Sequence, residues 1–146
     1  MVREPASTPR LSDREIIAVV SGETTVRRLR TGEVLFKNGD PSASMYVVRS
    51  GKLAIRSGSV VYEDVGPGGL VGEMGIVEAL LPRSAMAYAL TDAELVEIDE
   101  RRFLSLVEEV PGFALAVMRV LSRRLRRMDV RYDAKHEDMI ERGDTG

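Results

Sequence analysis

The stretch VGPGGLVGEMGIVEALLPRSAMAYAL, residues 65–90, carries the strongest structural signal in this sequence. Short apolar runs typical of β-strands flank it on both sides, but the strand pattern is interrupted between Gly72 and Arg83. Its glycines occupy positions 66, 68, 69, 72 and 75. Glycines clustered in this way mark tight turns and close approaches of the backbone to another group. We therefore expect residues 72–83 to form a short helix and a loop inside a β domain.

The polar residues of this stretch suit one ligand chemistry. A glycine-rich helix start, at Glu73, lets backbone N–H groups approach an anion. Arg83 can direct two parallel donors at phosphate oxygens, and Ser84 beside it can add a hydroxyl donor. An ionised Glu73 only accepts hydrogen bonds, so it suits a ribose 2′-hydroxyl. A nucleoside cyclic monophosphate carries both a singly charged phosphate and that hydroxyl, and it therefore fits the set.

The flanking sequence predicts that the domain is mainly β. Short apolar runs occur at 26–30, 33–37, 44–50, 52–57, 60–65, 84–91 and 93–98. Turns that contain glycine separate them, as at Thr31-Gly32 and Ser50-Gly51. Short strands at regular spacing favour a sandwich or barrel over a parallel sheet.

Helices are predicted at both ends of the β domain. Ser12 and Glu15 form a capping box ahead of an apolar face, and Ser21-Gly22 ends that first helix. A second helix is predicted over 100–109 and a third from about Phe113 to about Asp133. The predicted divisions are a flexible tail at 1–10, one domain at 11–133 and a flexible tail at 134–146.

The third predicted helix carries a heptad seam with steps of four and three residues. The seam consists of Ala114, Met118, Leu121, Leu125, Met128 and Tyr132. So narrow a stripe favours pairing of two chains, and residues 113–133 are expected to form a homodimer. The alternative is a helix that folds back on its own barrel. The arginines of this helix are interpreted as a solvated face, so a nucleic-acid partner is not expected.

Composition excludes several classes of protein. The sequence has no cysteine, which excludes disulfides and cysteine metal sites, and its single histidine, His136, is too few for a metal enzyme of the cupin type. The net charge of −2 argues against a general polyanion binder. No apolar run resembles a signal peptide or membrane span, so we expect a cytoplasmic protein with no membrane partner. No catalytic set can be assembled, and no enzyme activity is expected.

Two motifs carry a family resemblance: Val71-Gly72-Glu73-Met74-Gly75-Ile76 and, after a variable segment, Pro82-Arg83-Ser84-Ala85. Turn glycines upstream, at positions 32, 39, 51, 66 and 68, match as well. Over residues 26–130 the chain resembles the cyclic nucleotide-binding domains of bacterial catabolite activators and of cAMP-dependent kinase regulatory subunits. The resemblance implies a β jelly roll, or double-stranded β-helix, with flanking α: an N-terminal helix and two C-terminal helices.

The resemblance also implies a ligand and its contacts. The ligand is a cyclic purine nucleotide, cAMP first and cGMP second, with no metal. The implied binding residues are Gly72, Glu73, Met74, Arg83, Ser84, Ala85, Arg124, Leu125 and Met128. Arg124 matches an arginine near the ribose-binding glutamate of bacterial activators, so a pair with Glu73 is expected. Met128 stands where those activators carry a threonine that reaches the purine, which suggests apolar contact to the base.

Ser84 bears on the choice of base. In the resembled family, threonine directly after the arginine that matches Arg83 tends to accompany preference for cGMP, because its hydroxyl can bond the guanine amino group. Serine lacks the methyl group that fixes the rotamer of threonine. We therefore expect cAMP to bind more tightly than cGMP.

Other interpretations remain open at this point. Glu73 and Arg83 could form a structural ion pair at a loop. The chain could be a ligand-free interaction or dimerisation domain of the same fold, or the sensory part of a transcription regulator whose effector lies elsewhere. Residues 133–146 are too few for a helix-turn-helix domain, so we expect a stand-alone sensor module or one whose effector is a separate protein. A dinucleotide-binding turn is excluded because Gly66-Pro67-Gly68 does not continue as G-x-G-x-x-G.

Overall fold

The computed structural model describes residues 10–58, 60–78 and 81–141, without the side chains of Tyr62 and of residues 128–141. Almost all of the predicted tail at 1–10 therefore lies outside the described residues. The elements in chain order are α1 Asp13–Val19, β1 Val26–Leu29, β2 Val34–Phe36, β3 Ser44–Ser50, β4 Leu53–Ser57, β5 Val60–Val65, β6 Leu70–Val71, α2 Met74–Val77, β7 Met86–Ala89, β8 Ala93–Asp99, α3 Glu100–Glu109 and α4 Gly112–Glu141.

The strands of the described residues form two four-stranded antiparallel sheets. Their orders are β1-β8-β3-β6 and β2-β7-β4-β5. Neighbouring strands come mostly from distant parts of the chain, as where β3 lies beside β8 with Val47 opposite Val96. This architecture is a β jelly roll, with α1 before it and α3 and α4 after it, and the predicted fold class is confirmed.

Strand β3 is apolar on both of its faces, because it belongs to two cores. Tyr46 and Val48 pack between the two sheets, whereas Met45 and Val47 pack against the helical layer. Phe113 of α4 lies fully buried in that second core. Each such side chain contributes about 1.5–3 kcal/mol on burial. The helices are thus fixed to the outside of one sheet, which places α4 beside the roll.

The first helix begins as its sequence predicts. The Ser12 hydroxyl accepts from the Glu15 amide at 3.2 Å, and the Glu15 carboxylate accepts from the Ser12 amide at 3.1 Å. These bonds satisfy N–H groups that would otherwise lack partners at the helix start. The predicted capping box is therefore confirmed.

Two features differ from the prediction. The two-residue strand β6 was not expected, and it forms because Leu70 and Val71 pair with β3 between glycine turns. Helix α4 continues to Glu141, so the predicted helix end at Asp133 is wrong, and residues 134–141 of the predicted flexible tail are helical. No glycine or proline occurs between Asp133 and Glu141, and the sequence therefore contains no helix breaker there.

No helix in the described part of the chain combines the length and the apolar character needed to cross a membrane.

Candidate functional site

A cavity of about 320 Å³ opens where α2, the loop before β7 and helix α4 meet the roll. Seven of the residues predicted to bind ligand line it: Gly72, Glu73, Met74, Arg83, Ser84, Ala85 and Arg124. Apolar side chains, among them Phe36 and Ile55, complete the wall. The volume lies at the lower end of the roughly 300–1,000 Å³ usual for small-molecule sites. The structure therefore brings the two sequence motifs together in one concave site.

Arg83 is buried in this wall and its guanidinium is fixed on three sides. Nη1 donates to the carbonyl oxygen of Gly72 at 2.9 Å, and Nη2 donates to the carbonyl oxygen of Ser44 at 2.7 Å. The guanidinium carbon lies 4.3 Å from the centre of the Phe36 ring. The third nitrogen, Nε, is buried and has no hydrogen-bond partner among the described residues. Nε of Arg83 is therefore a buried donor without an acceptor in the described structure.

The main chain at Arg83 is fixed by the turn after β2. The Arg83 amide donates to the carbonyl of Asp40, and the Arg83 carbonyl accepts from the amide of Gly39, both at 2.8 Å. Pro82 forms an isolated bridge with Pro41. Burial lowers the pKa of Arg83, and the neighbouring Tyr46 and Glu73 act in the opposite direction. An arginine remains protonated despite such a shift, so the site carries a fixed positive charge.

Two glycines make room for this guanidinium. Gly72 has φ +75°, and a Cβ there would lie 2.7 Å from Nη1 of Arg83. A Cβ on Gly75 would lie 2.6 Å from the Ser44 carbonyl oxygen and 3.0 Å from the same Nη1. From the sequence, these glycines were expected to allow the approach of an anion. In the structure, Gly72 and Gly75 are also needed to leave space for the Arg83 side chain itself.

Glu73 is buried directly before α2 and pairs with Arg124 of α4. Nη1 of Arg124 donates to Oε2 of Glu73, and no donor contacts Oε1 among the described residues. The pair of Glu73 with Arg124 is confirmed. The alternative of an ion pair between Glu73 and Arg83 is not supported, because in the described structure Arg83 donates to carbonyl oxygens instead.

Arg124 has two further acceptors that the sequence did not reveal. Its Nε donates to Oε2 of Glu63, and its Nη2 donates to the carbonyl of Leu70, each at 2.6 Å. Burial alone would lower the pKa of Arg124, but Glu73 and Glu63 outweigh it and raise the pKa above the usual value. Glu63 was missed because it lies on β5, distant in sequence from both motifs, and only the fold brings it to α4.

The remaining two predicted contacts are not part of this cavity as described. Leu125 is 60% exposed and does not line it. The side chain of Met128 lies outside the described residues. The prediction that Leu125 reaches the ligand therefore finds no support in the geometry of this single chain. Phe36 and Ile55 were not predicted, and they supply apolar wall instead.

The outer and inner faces of α4 are clearly distinct. Phe113, Ala116 and Val117 are buried against the roll, and Leu121 packs partly against the same core. Met118 and Leu125, both in the predicted heptad seam, are 59% and 60% exposed. The helix therefore does fold back on its own barrel, as the alternative held, but it leaves part of the seam uncovered. Leu121, another member of the predicted seam, thus packs partly on the core of its own chain.

Comparison with known proteins gives consistent results. The family model described as "Cyclic nucleotide-binding domain" matches residues 26–110. The cyclic AMP receptor protein of Thermus thermophilus is 33% identical over 107 residues, which are 70% of this chain and 49% of that protein. The crystal structure of the catabolite activator protein of Thermus thermophilus matches with a TM-score of 0.71 and 30% identity, over 86% of this chain and 61% of that one.

A second similar structure comes from a cyclic-GMP-dependent signalling pathway that regulates bacterial phytopathogenesis. It matches with a TM-score of 0.69 and 28% identity, over 81% of this chain and 98% of that one. The chain spans about half the length of the cyclic AMP receptor protein that it matches. The family match runs from β1 to the end of α3 and covers most of the cavity wall. The chain belongs to the cyclic nucleotide-binding domain family.

Proposed function

We propose that this domain is a regulatory module that binds cAMP in preference to cGMP and responds through α4. The observation that carries the proposal is the state of Arg83. Its guanidinium is buried in the cavity wall, pairs with no carboxylate among the described residues and keeps Nε without an acceptor. A buried donor without a partner is unfavourable by about 1–3 kcal/mol. A singly charged cyclic phosphate supplies both an acceptor and the compensating charge.

Glu73 supports the ribose half of the proposal. It lines the same cavity as Arg83, and its Oε1 has no donor among the described residues. An ionised carboxylate accepts hydrogen bonds and donates none. A ribose 2′-hydroxyl is a donor of the right size, and a 2′-deoxy sugar would leave that oxygen unsatisfied.

The choice of base rests on what the rest of the wall offers. Ser84 lines the cavity and provides one hydroxyl, while Ile55 and Leu81 provide apolar surface. Guanine carries donors that an apolar wall leaves unpaired, at a cost of about 1–3 kcal/mol each. Adenine carries fewer, so the wall favours cAMP.

The response to ligand rests on Arg124. This residue belongs to α4 and contacts Glu73, so a ribose that bonds Glu73 acts directly on a contact of the helix. A ligand that favours one placement of α4 shifts the population toward it. The module is then a sensor and not an enzyme. We propose that it works in the cytoplasm on a separate effector protein.

We also propose that α4 pairs two chains through residues 113–133. The exposed Met118 and Leu125 support this, because large apolar side chains on one helix face are typical of an interface. Changing both to Lys should convert a dimer to monomers in sedimentation. Leu104→Lys is the control, because it replaces an exposed leucine on α3. A native protein that is already monomeric at tens of micromolar would refute the dimer.

The binding proposal is tested by calorimetric titration of the native protein with cAMP and, separately, with cGMP. We expect saturable binding of both, with cAMP the tighter ligand. If neither nucleotide binds the folded protein, the module is instead an interaction domain that has kept the fold without the ligand.

Nucleic acid is not proposed as a partner, because Arg123, Arg124 and Arg127 lie within 4 Å of Glu63.

A further inference from the structure

Three arginines of α4 converge on one carboxylate of the roll. Nε of Arg124 lies 2.6 Å from Oε2 of Glu63, Nη1 of Arg127 lies 3.6 Å from that oxygen, and Nη2 of Arg123 lies 3.8 Å from Oε1. The Glu63 side chain is only 10% exposed, and that of Arg124 only 12%. The contact of Glu63 with Arg124 is therefore shielded from solvent, whereas the other two arginines approach from the surface.

The donors of Arg124 are divided among three acceptors. Nε donates to Glu63, Nη2 donates to the Leu70 carbonyl and Nη1 donates to Oε2 of Glu73. Glu73 thus receives one prong of the guanidinium on one of its oxygens. An arginine without competing acceptors frequently pairs with a carboxylate through two parallel hydrogen bonds, which occupy both carboxylate oxygens. The contact of Nε with Glu63 and the contact of Nη2 with the Leu70 carbonyl leave only Nη1 directed at Glu73.

We propose that Glu63 is a positioning residue for the ribose site: by holding Nε of Arg124, it keeps Oε1 of Glu73 open to a donor hydroxyl. Glu63 acts through Arg124, because it does not line the cavity that contains Glu73. It lines a different cavity, of about 460 Å³, whose wall Arg124 shares. The inference rests on the proposed function, in which the ribose hydroxyl donates to Glu73.

The test compares cAMP with 2′-deoxy-cAMP on the native protein and on Glu63→Ala. In the native protein we expect cAMP to bind about tenfold more tightly than the deoxy analogue, because the analogue lacks a hydrogen bond to a charged acceptor. In Glu63→Ala, Nε of Arg124 loses its carboxylate acceptor, and we expect the guanidinium to turn and pair with both oxygens of Glu73. The ratio of the two affinities should then fall at least threefold, while the affinity for the deoxy analogue changes less than twofold.

The matched control is Asp64→Ala, the neighbouring acid on β5, which is exposed and has no ion pair among the described residues. In Asp64→Ala, the ratio of the affinity for cAMP to that for 2′-deoxy-cAMP should equal the ratio in the native protein. An unchanged ratio in Glu63→Ala, or an equal loss for both nucleotides, overturns the proposal. If Glu63→Ala does not fold, Glu63→Gln replaces it, and because a neutral amide oxygen holds Nε less firmly than a carboxylate, the ratio should still fall, by about twofold.

A second measurement separates this inference from the proposed function. The Nε–H resonance of Arg124 in the nucleotide-free protein can be identified by its absence from Arg124→Lys. We expect Glu73→Gln to shift this resonance less in the native background, where Nε donates to Glu63, than in the Glu63→Ala background, where Arg124 has turned to Glu73. A resonance that Glu63→Ala does not move overturns the role of Glu63, whether or not any nucleotide binds.

Discussion

Arg83 and Arg124 are two largely buried arginines in the wall of one cavity, but their hydrogen-bond partners are of opposite kinds. Arg83 donates to two neutral carbonyl oxygens and stacks on Phe36, and no carboxylate pairs with it in the described structure. Arg124 lies between the carboxylates of Glu63 and Glu73. The pKa of Arg83 is lowered, with burial the largest cause, whereas that of Arg124 is raised because two anions outweigh its burial.

On the proposed function, this difference separates a charge available to the ligand phosphate, on Arg83, from a charge compensated within the protein, on Arg124. Neutral carbonyls orient the guanidinium of Arg83 but do not neutralise it, so an incoming anion gains its full attraction. The charge of Arg124 is already compensated, so it holds α4 on the roll and positions Glu73. On the proposed function, the two arginines have separable roles, Arg83 in ligand binding and Arg124 in stability.

The largest expected effect is on stability, in Arg124→Ala. This change leaves Glu63 and Glu73 largely buried without their shared partner, which should lower the free energy of unfolding by about 3 kcal/mol. The measurement is urea unfolding at neutral pH. Arg126→Ala on the same helix is the control, because Arg126 is exposed. A loss no larger than the control's would show that the two carboxylates do not depend on Arg124.

Arg83→Ala should instead act on binding. Loss of a buried charged donor costs about 2–5 kcal/mol of interaction, so cAMP should bind at least thirtyfold more weakly. Calorimetry measures the affinity, and circular dichroism checks that the variant is folded. Arg28→Ala is the control, because that side chain is 81% exposed on β1. Native affinity in a folded Arg83→Ala protein would remove Arg83 from the ligand site.

The base is expected to matter less than the phosphate. Because the wall offers Ser84 and apolar side chains, cAMP should bind about tenfold more tightly than cGMP, which corresponds to one unpaired guanine donor. Competition of the two nucleotides against one fluorescent cAMP analogue gives the ratio directly. Equal or reversed potency would mean that a residue outside the described cavity wall selects the base.

The smallest expected effect concerns the aromatic ring under Arg83. Phe36→Leu removes a cation–π contact worth about 0.5–1 kcal/mol, so cAMP affinity should fall about threefold. Phe103→Leu is the matched control, because that ring packs on Phe113 in the helical layer and does not line the cavity. Equal affinities for the two variants would show that Arg83 is oriented by its hydrogen bonds alone.

Much of this arrangement was predictable from local sequence. The strands follow from short apolar runs between glycine turns, and the capping box follows from Ser12 and Glu15. The two motifs that line the cavity follow from the spacing of Glu73 and Arg83. Arg124 was found only through the family resemblance, which supplied a partner for Glu73 that local spacing could not.

What was missed depends on contacts between distant segments. Glu63 lies on β5 in an ordinary strand pattern, and nothing near it in the sequence indicates that α4 passes over it. The heptad pattern of α4 identified apolar positions but not which of them the roll covers, so Leu121 and Leu125 were grouped together. The structure places the first against the core and leaves the second exposed.

Strand β3 has a consequence for how the molecule melts. Its alternating side chains belong to both cores, and its Ser44 carbonyl holds Arg83. Neither core can come apart without exposing apolar surface of the other, so the roll and its helical layer have no independent route to unfolding. Thermal unfolding followed by a probe in the cavity and by a probe on α1 should therefore give a single cooperative transition at one temperature.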